Sequence, residues 1–139
     1  MPNPIQVDVK SGDNLLLVGT MKGGFIFRSD ANRQSWEEAG PYFPGRSVYA
    51  FDYDGRNGRK KLWAAVNSSY WGSFLSSSND FGKTWSDPES YNIKFPEGSD
   101  VSLKQIWQSS TIRTTLMCST AELSRPRFSS QRTVAKPGR

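Results

Sequence analysis

SNDFGKTW, residues 78–85, follows a candidate strand at Ser73–Ser77 and carries the chemistry of a tight hairpin turn. A carboxylate at Asp80 has the reach to accept backbone N–H groups across the turn, and Gly82 adopts positive φ without a Cβ penalty. Thr84 opens the outgoing strand, and Trp85 is large enough to cover an apolar edge between neighbouring sheets. The stretch therefore predicts strand, turn and strand, with Asp80 holding the turn rather than doing catalysis.

A worn copy stands upstream at Ser29–Trp36, SDANRQSW, with Ser29, Ser35 and Trp36 in register. Ala31 replaces the aspartate and Arg33 the glycine. Asp30 lies one residue out of register, so this turn is expected to be looser and Asp30 a poor substitute. Trp36 and Trp85 are 49 positions apart, the length of one four-stranded propeller blade, and a fixed period of this size marks a repeat architecture.

The segments around the two turns read as strands. Asn14–Thr20, NLLLVGT, is an apolar run closed by Gly, and Gly24–Arg28 is the second arm of a hairpin. A polar Pro/Gly loop is expected after Trp36, through Arg46. Val48–Tyr53, a charged turn over Asp54–Lys60, and Lys61–Asn67 then repeat the strand-turn-strand pattern. No helical period of useful length interrupts residues 1–108, which favours an all-β sandwich or propeller.

Residues 78–85 match the pattern S-x-D-x-G-x-T-W, the Asp-box, at every defined position. With this box, the chain resembles the Asp-box (BNR-repeat) β-propellers, a group that includes sialidases, sortilin-type receptors and bacterial glycosyl-hydrolase-like proteins. LLVGTMKGGFIFRSD, SVYAFDYD, LWAAVNSSYWG and FPEGSDVSLKQIWQ extend the likeness across residues 14–108. The resemblance implies an incomplete all-β propeller of about two four-stranded blades over residues 1–108, with boxes ending at Trp36 and Trp85. It gives Ser78, Asp80, Gly82, Thr84, Trp85, Ser29, Ser35 and Trp36 a structural role at outer turns, away from the central funnel. It further implies an N-terminal fragment without activity of its own. The alternatives are part of a glycoside hydrolase or sialidase-like enzyme whose catalytic residues lie beyond this chain, or a protein- or sugar-binding scaffold. Sialidases open with Phe-Arg-Ile-Pro; the nearest sequence here, Phe27-Arg28-Ser29-Asp30, lacks the Ile-Pro step, and no catalytic residue is assigned. Each blade buries its face only against a neighbour, so a two-blade fragment is expected to self-associate.

Other residues have two readings each. Trp63 and Trp71 are candidate sugar-stacking faces, or fillers between blades. Asp52 and Asp54 form either a carboxylate pair for glycoside hydrolysis or a charged turn after a strand. Arg56, Arg59, Lys60 and Lys61 read as a solvated hairpin tip.

Composition narrows the chemistry. With one Cys and no His, the chain offers no disulfide framework, no Cys/His zinc site and no histidine base, so neither a metal nor a cofactor is expected. The net charge of +5 comes wholly from residues 109–139; residues 1–108 hold twelve basic and twelve acidic residues. Every aromatic residue except Phe128 precedes that tail. Basic and aromatic residues are thus separated rather than interleaved, which argues against a nucleic-acid partner. No signal peptide or membrane-spanning run is present, so a cytoplasmic protein with no membrane partner is expected, carbohydrate remaining an option for the full-length parent.

Residues 109–139 hold eleven Ser/Thr and no evident strand pattern. Regrouped out of frame, the bases of codons 123–138 are able to encode E-P-A-A-L-F-K-S-T-D-G-G-K-T-W, a further box at roughly one blade length past Trp85. The tail is therefore expected to be non-native or disordered and out of frame.

Overall fold

The computed structural model describes residues 4–91, 93, 95, 97–100, 103–111 and 119–124. The described residues are all-β apart from two single-turn 3-10 segments, Arg56–Gly58 and Pro88–Ser90. Strands β1 (Asn14–Thr20), β2 (Gly23–Ser29) and β3 (Glu37–Tyr42) form one antiparallel sheet in the order β1-β2-β3. Strands β4 (Ser47–Asp54), β5 (Lys61–Ser68) and β6 (Gly72–Ser78) form a second, in the order β4-β5-β6. β7 (Gln105–Thr111) pairs with β8 (Ser119–Ser124). Among the described residues no helix is long and apolar enough to cross a membrane.

The sheets follow one another in a single sense, β1 and β2 lying against β4, and β4 and β5 against β7. The middle sheet is consequently covered on both faces. Leu62 clusters with Ile26, Ala39 and Tyr42 of the first sheet; Ala64, Val66 and Phe74 cluster with Val48, with Phe43 and Trp85 packed against them; and Ala65 and Leu75 meet Ile106 of β7. Such double burial explains why β5 and β6 are rich in Ala and Ser instead of alternating polar and apolar residues: small side chains on both faces let sheets approach from either side.

The 49-residue offset recurs in the hydrogen-bonded register. It carries Gly23, Ser29 and Trp36 onto Gly72, Ser78 and Trp85, and therefore β2 onto β6. β1 maps onto β5 at an offset of 48, because the β1–β2 loop is Met21-Lys22 and the β5–β6 loop, Ser69–Trp71, is one residue longer. The pair Arg28↔Glu37 corresponds to the bond from Ser86 N to Ser77 O at 2.8 Å. There the match ends. Pro88 stands where Ala39 continues β3, and proline has no N–H to donate, so the chain leaves β6 through the 3-10 turn. At the other side, no strand among the described residues stands beside β1 as β4 stands beside β5.

Three expectations change. The sheets have three strands rather than four. β3 occupies part of the expected polar loop: its acidic, Gly and Pro residues hide a strand that is fixed by pairing with β2 and by burial of Ala39 and Tyr42. β7 runs past Gln108 to Thr111 and pairs with β8, placing Ile106 opposite Leu123. Ser- and Thr-rich segments have little apolar signal of their own, and cross-strand pairing supplies the rest. Residues 125–139, which contain most of the regrouped box, lie outside the described residues.

Candidate functional site

The turn after β6 is held by two side chains that bond each other. Ser78 Oγ donates to Asp80 Oδ1 at 2.7 Å and accepts from Gly82 N at 2.8 Å. Asp80 Oδ1 also accepts from Thr84 N at 2.8 Å, and Asp80 Oδ2 from Thr84 Oγ1 at 2.6 Å. Phe81 and Gly82 both have positive φ, 57° and 91°. A Cβ on Gly82 would stand 2.8 Å from the ring of Tyr42, so this position needs glycine for conformation and for space. Burial pushes the Asp80 carboxyl upward in pKa, but the bonds from Thr84 and Ser78 outweigh it and the net shift is downward. Asp80 is an ionised acceptor fully used by its own turn.

That turn delivers Trp85 to the seam between the first two sheets. Its ring lies 4.9 Å from Phe43, 5.8 Å from Tyr42 and 6.2 Å from Phe51, centroid to centroid. Burial pushes the Tyr42 phenol up to about 12, with the charge of Asp80 adding to it. The sequence reading missed Tyr42 and Phe43 because they lie within the expected loop; two aromatics directly after Gly40-Pro41 were the available signal.

The turn after β2 reaches a similar shape by another route. Arg33 takes the positive φ, 56°, at the Gly82 position. Asp30 Oδ1 accepts from Asn32 N at 3.0 Å and Arg33 N at 3.2 Å. Asp30, expected to contribute little, thus caps its turn, because a carboxylate at that position reaches the amides two and three residues on. With Ala31 at the box position, Ser29 Oγ is buried without a partner. Trp36 is 44% exposed and does not repeat the packing of Trp85.

The other candidates separate. Asp54 is buried and accepts from Arg56 Nε at 2.7 Å, with Arg59 3.7 Å away. The hydrogen bond from Arg56 holds its carboxyl well below the usual range. It is therefore no general acid, and Arg56 and Arg59 are engaged instead of forming a free solvated tip. Arg28 is bound to Asp13 at 2.7 Å and Glu37 at 3.2 Å, so it is not an open carboxylate clamp. Trp63 meets Tyr91 edge-on at 4.8 Å and carries the Lys61 ammonium 4.2 Å above its ring. Trp71, 45% exposed beside Tyr70, lines a cavity of about 430 Å³ with Phe74, Pro88, Glu89 and Tyr91; Trp63 is not among its lining residues. Since β5 and β6 are antiparallel, this cavity and the Asp80 turn lie at opposite ends of the second sheet.

The carboxylates give a pH dependence. Asp54 and Asp13, held down chiefly by Arg56 and Arg28, and Asp80 all bind protons less readily folded than unfolded. Their stabilisation is complete above the unfolded value, about 4, and is lost as pH falls through their lower folded values. Urea midpoints are expected to be flat near neutrality and to drop below about pH 4, with a smaller drop in Asp54→Asn.

No protein-family model matches the chain, and no curated protein matches it either.

Proposed function

We propose that this chain is the opening, non-catalytic part of an Asp-box β-propeller, whose ligand site needs further blades. The observation that carries the reading is the Asp80 turn, bonded through Ser78 and Thr84, which follows β6 as the turn capped by Asp30 follows β2 at the 49-residue offset. Supporting it, β1-β2-β3 and β4-β5-β6 correspond to two overlapping portions of one four-strand pattern, the first lacking the leading strand and the second the closing one. On this reading Asp80 and Trp85 hold blades together, and acid–base chemistry belongs to residues outside this chain.

The experiment is to resequence the gene across codons 105–139 and past the stop. Further S-x-D-x-G-x-T-W boxes about one blade length apart are expected, in a frame restored by gain or loss of one base. Their absence in all frames overturns the fragment reading. A protein-level check compares Asp80→Ala with Asp30→Ala in urea. Removing Asp80 is expected to cost roughly 1–2 kcal/mol, because it leaves Ser78 and the Thr84 amide without their acceptor. The exposed Asp30 is expected to cost less, and equal costs contradict the box register.

A second reading, carbohydrate binding by the parent, is favoured by the Trp71 cavity, whose lining includes both aromatic side chains and Glu89. Titration with neutral oligosaccharides is expected to change Trp emission in the wild type and not in Trp71→Ala; unchanged wild-type emission overturns it.

A further inference from the structure

Lys61, Trp63 and Ser77 share one face of the second sheet. Lys61 and Trp63 are two residues apart on β5, and Trp63 is the register partner of Ser77 on β6. The 3-10 turn at Pro88–Ser90 brings the chain back over that face and sets the Tyr91 ring edge-on to Trp63, 4.8 Å between centroids. Two polar groups then converge on the Tyr91 hydroxyl oxygen. Lys61 Nζ donates to it at 3.2 Å, and Ser77 Oγ stands 2.8 Å away.

Lys61 is held there as a cation. Its Nζ lies 4.2 Å from the Trp63 ring centroid and 5.5 Å from that of Tyr91, and aromatic faces favour the ammonium over the neutral amine. Asp54, its register partner on β4, is already engaged by Arg56. Ser77 is fixed as well, since its N–H donates to Ser86 Oγ at 2.9 Å. Burial pushes the Tyr91 phenol up in pKa, but the bonds from Ser77 and Lys61 outweigh it and the net shift is downward. Tyr42 has the opposite setting: its hydroxyl is buried without a hydrogen-bond partner among the described residues, and burial pushes it up.

We propose that Tyr91 is a nucleophilic phenol, a site of covalent modification by small sulfonyl electrophiles, with Lys61 and Ser77 positioning and stabilising its oxygen anion. A cation beside an oxygen nucleophile raises the share of the anion, which is the attacking form. With a sulfonyl fluoride, Tyr91 Oη bonds to sulfur, the S–F bond breaks, fluoride leaves, and the phenolic proton passes to water. Lys61 keeps its protons throughout. Tyr91 also lines the cavity of about 430 Å³ with Trp71, Phe74 and Ile93, so a small apolar reagent has room beside the ring. The site uses neither the repeat offset nor the Asp80 turn, and it stands whether or not the chain is part of a propeller.

The test treats the full chain with phenylmethanesulfonyl fluoride at neutral pH and follows labelling by mass spectrometry of tryptic peptides. Cleavage after Lys61, Lys83 and Lys94 leaves Tyr91 as the one tyrosine of residues 84–94, while Tyr70 and Ser77 fall within 62–83. Tyr70 is 83% exposed and serves as the internal standard. Tyr91 is expected to label at least about tenfold faster than Tyr70, and the preference is expected to vanish in denaturing urea. Lys61→Met is expected to lower the Tyr91-to-Tyr70 ratio at least about fivefold, and Lys61→Arg, which keeps the charge and the donors, to hold it within about threefold of wild type. A ratio near one in the folded chain overturns the site, as does a label on Ser77 in its place. A label on residues 84–94 that survives Tyr91→Phe puts the nucleophile elsewhere and overturns it too. With native far-UV circular dichroism in both variants, a ratio unchanged by Lys61→Met, or lowered equally by Met and Arg, overturns activation by the Lys61 charge.

Discussion

Replacing Trp85 by alanine is expected to cost about 2–4 kcal/mol, somewhat below the range for a fully buried large aromatic, because Trp85 is partly buried. Trp85 packs against both apolar clusters of the first two sheets and touches the rings of Tyr42, Phe43 and Phe51. Its loss opens a cavity lined by side chains of β3, the β3–β4 loop and β4, none of which is free to collapse into it without breaking a sheet. A cost of this size is a large share of the stability of a small domain. Chemical denaturation read by far-UV circular dichroism checks it, and Trp36→Ala serves as the control. Trp36 occupies the same box position but is 44% exposed, so its loss is expected to cost less than about 1 kcal/mol. Similar costs for the two tryptophans would mean that Trp85 does not sit at the seam.

That contrast shows what was legible in the sequence. The box pattern identifies the turn, the positive φ at Gly82 and the acceptor role of Asp80, because each depends on residues within eight positions. The strands β1, β2, β4, β5 and β6 are also legible, since each carries its own apolar or β-branched signal. The unequal fates of Trp36 and Trp85 are not. Burial of Trp85 depends on Tyr42 and Phe43, residues of a segment whose Gly and Pro content reads as loop. The same limit hid β3 and β8, whose pairing partners decide their conformation. It also hid Asp54, which reads as a turn carboxylate until Arg56 and Arg59 are seen to enclose it. Pro88 shows the reverse case: a single residue readable in the sequence stops the second sheet from gaining the strand that the repeat leads one to expect.

Alanine at Gly19 is expected to cost about 3 kcal/mol, at the upper end of overpacking effects, because the obstacle is backbone. Gly19 and Gly24 are cross-strand partners, and β4 crosses over both. A Cβ on Gly19 would stand 2.4 Å from the Val48 carbonyl oxygen, and one on Gly24 would stand 2.4 Å from the Phe51 ring. The two glycines therefore let the first sheet approach the second, but they differ in what must yield. At Gly24 the neighbour is the far end of a side chain, so Gly24→Ala is expected to cost less, and Phe51→Leu, which withdraws that ring, is expected to relieve part of it in a double-mutant cycle. At Gly19 trimming Val48 to Ala leaves the carbonyl in place, so no relief is expected. A neutral Gly19→Ala would mean that β1 does not lie against β4, and the stacking of the sheets would fall with it. A Gly19 cost relieved by Val48→Ala would place the contact on the Val48 side chain and move β4 along the seam. Gly19 thus tests the spacing of the sheets through a backbone contact with Val48, whereas the Gly24 cycle acts through Phe51, which also packs on Trp85.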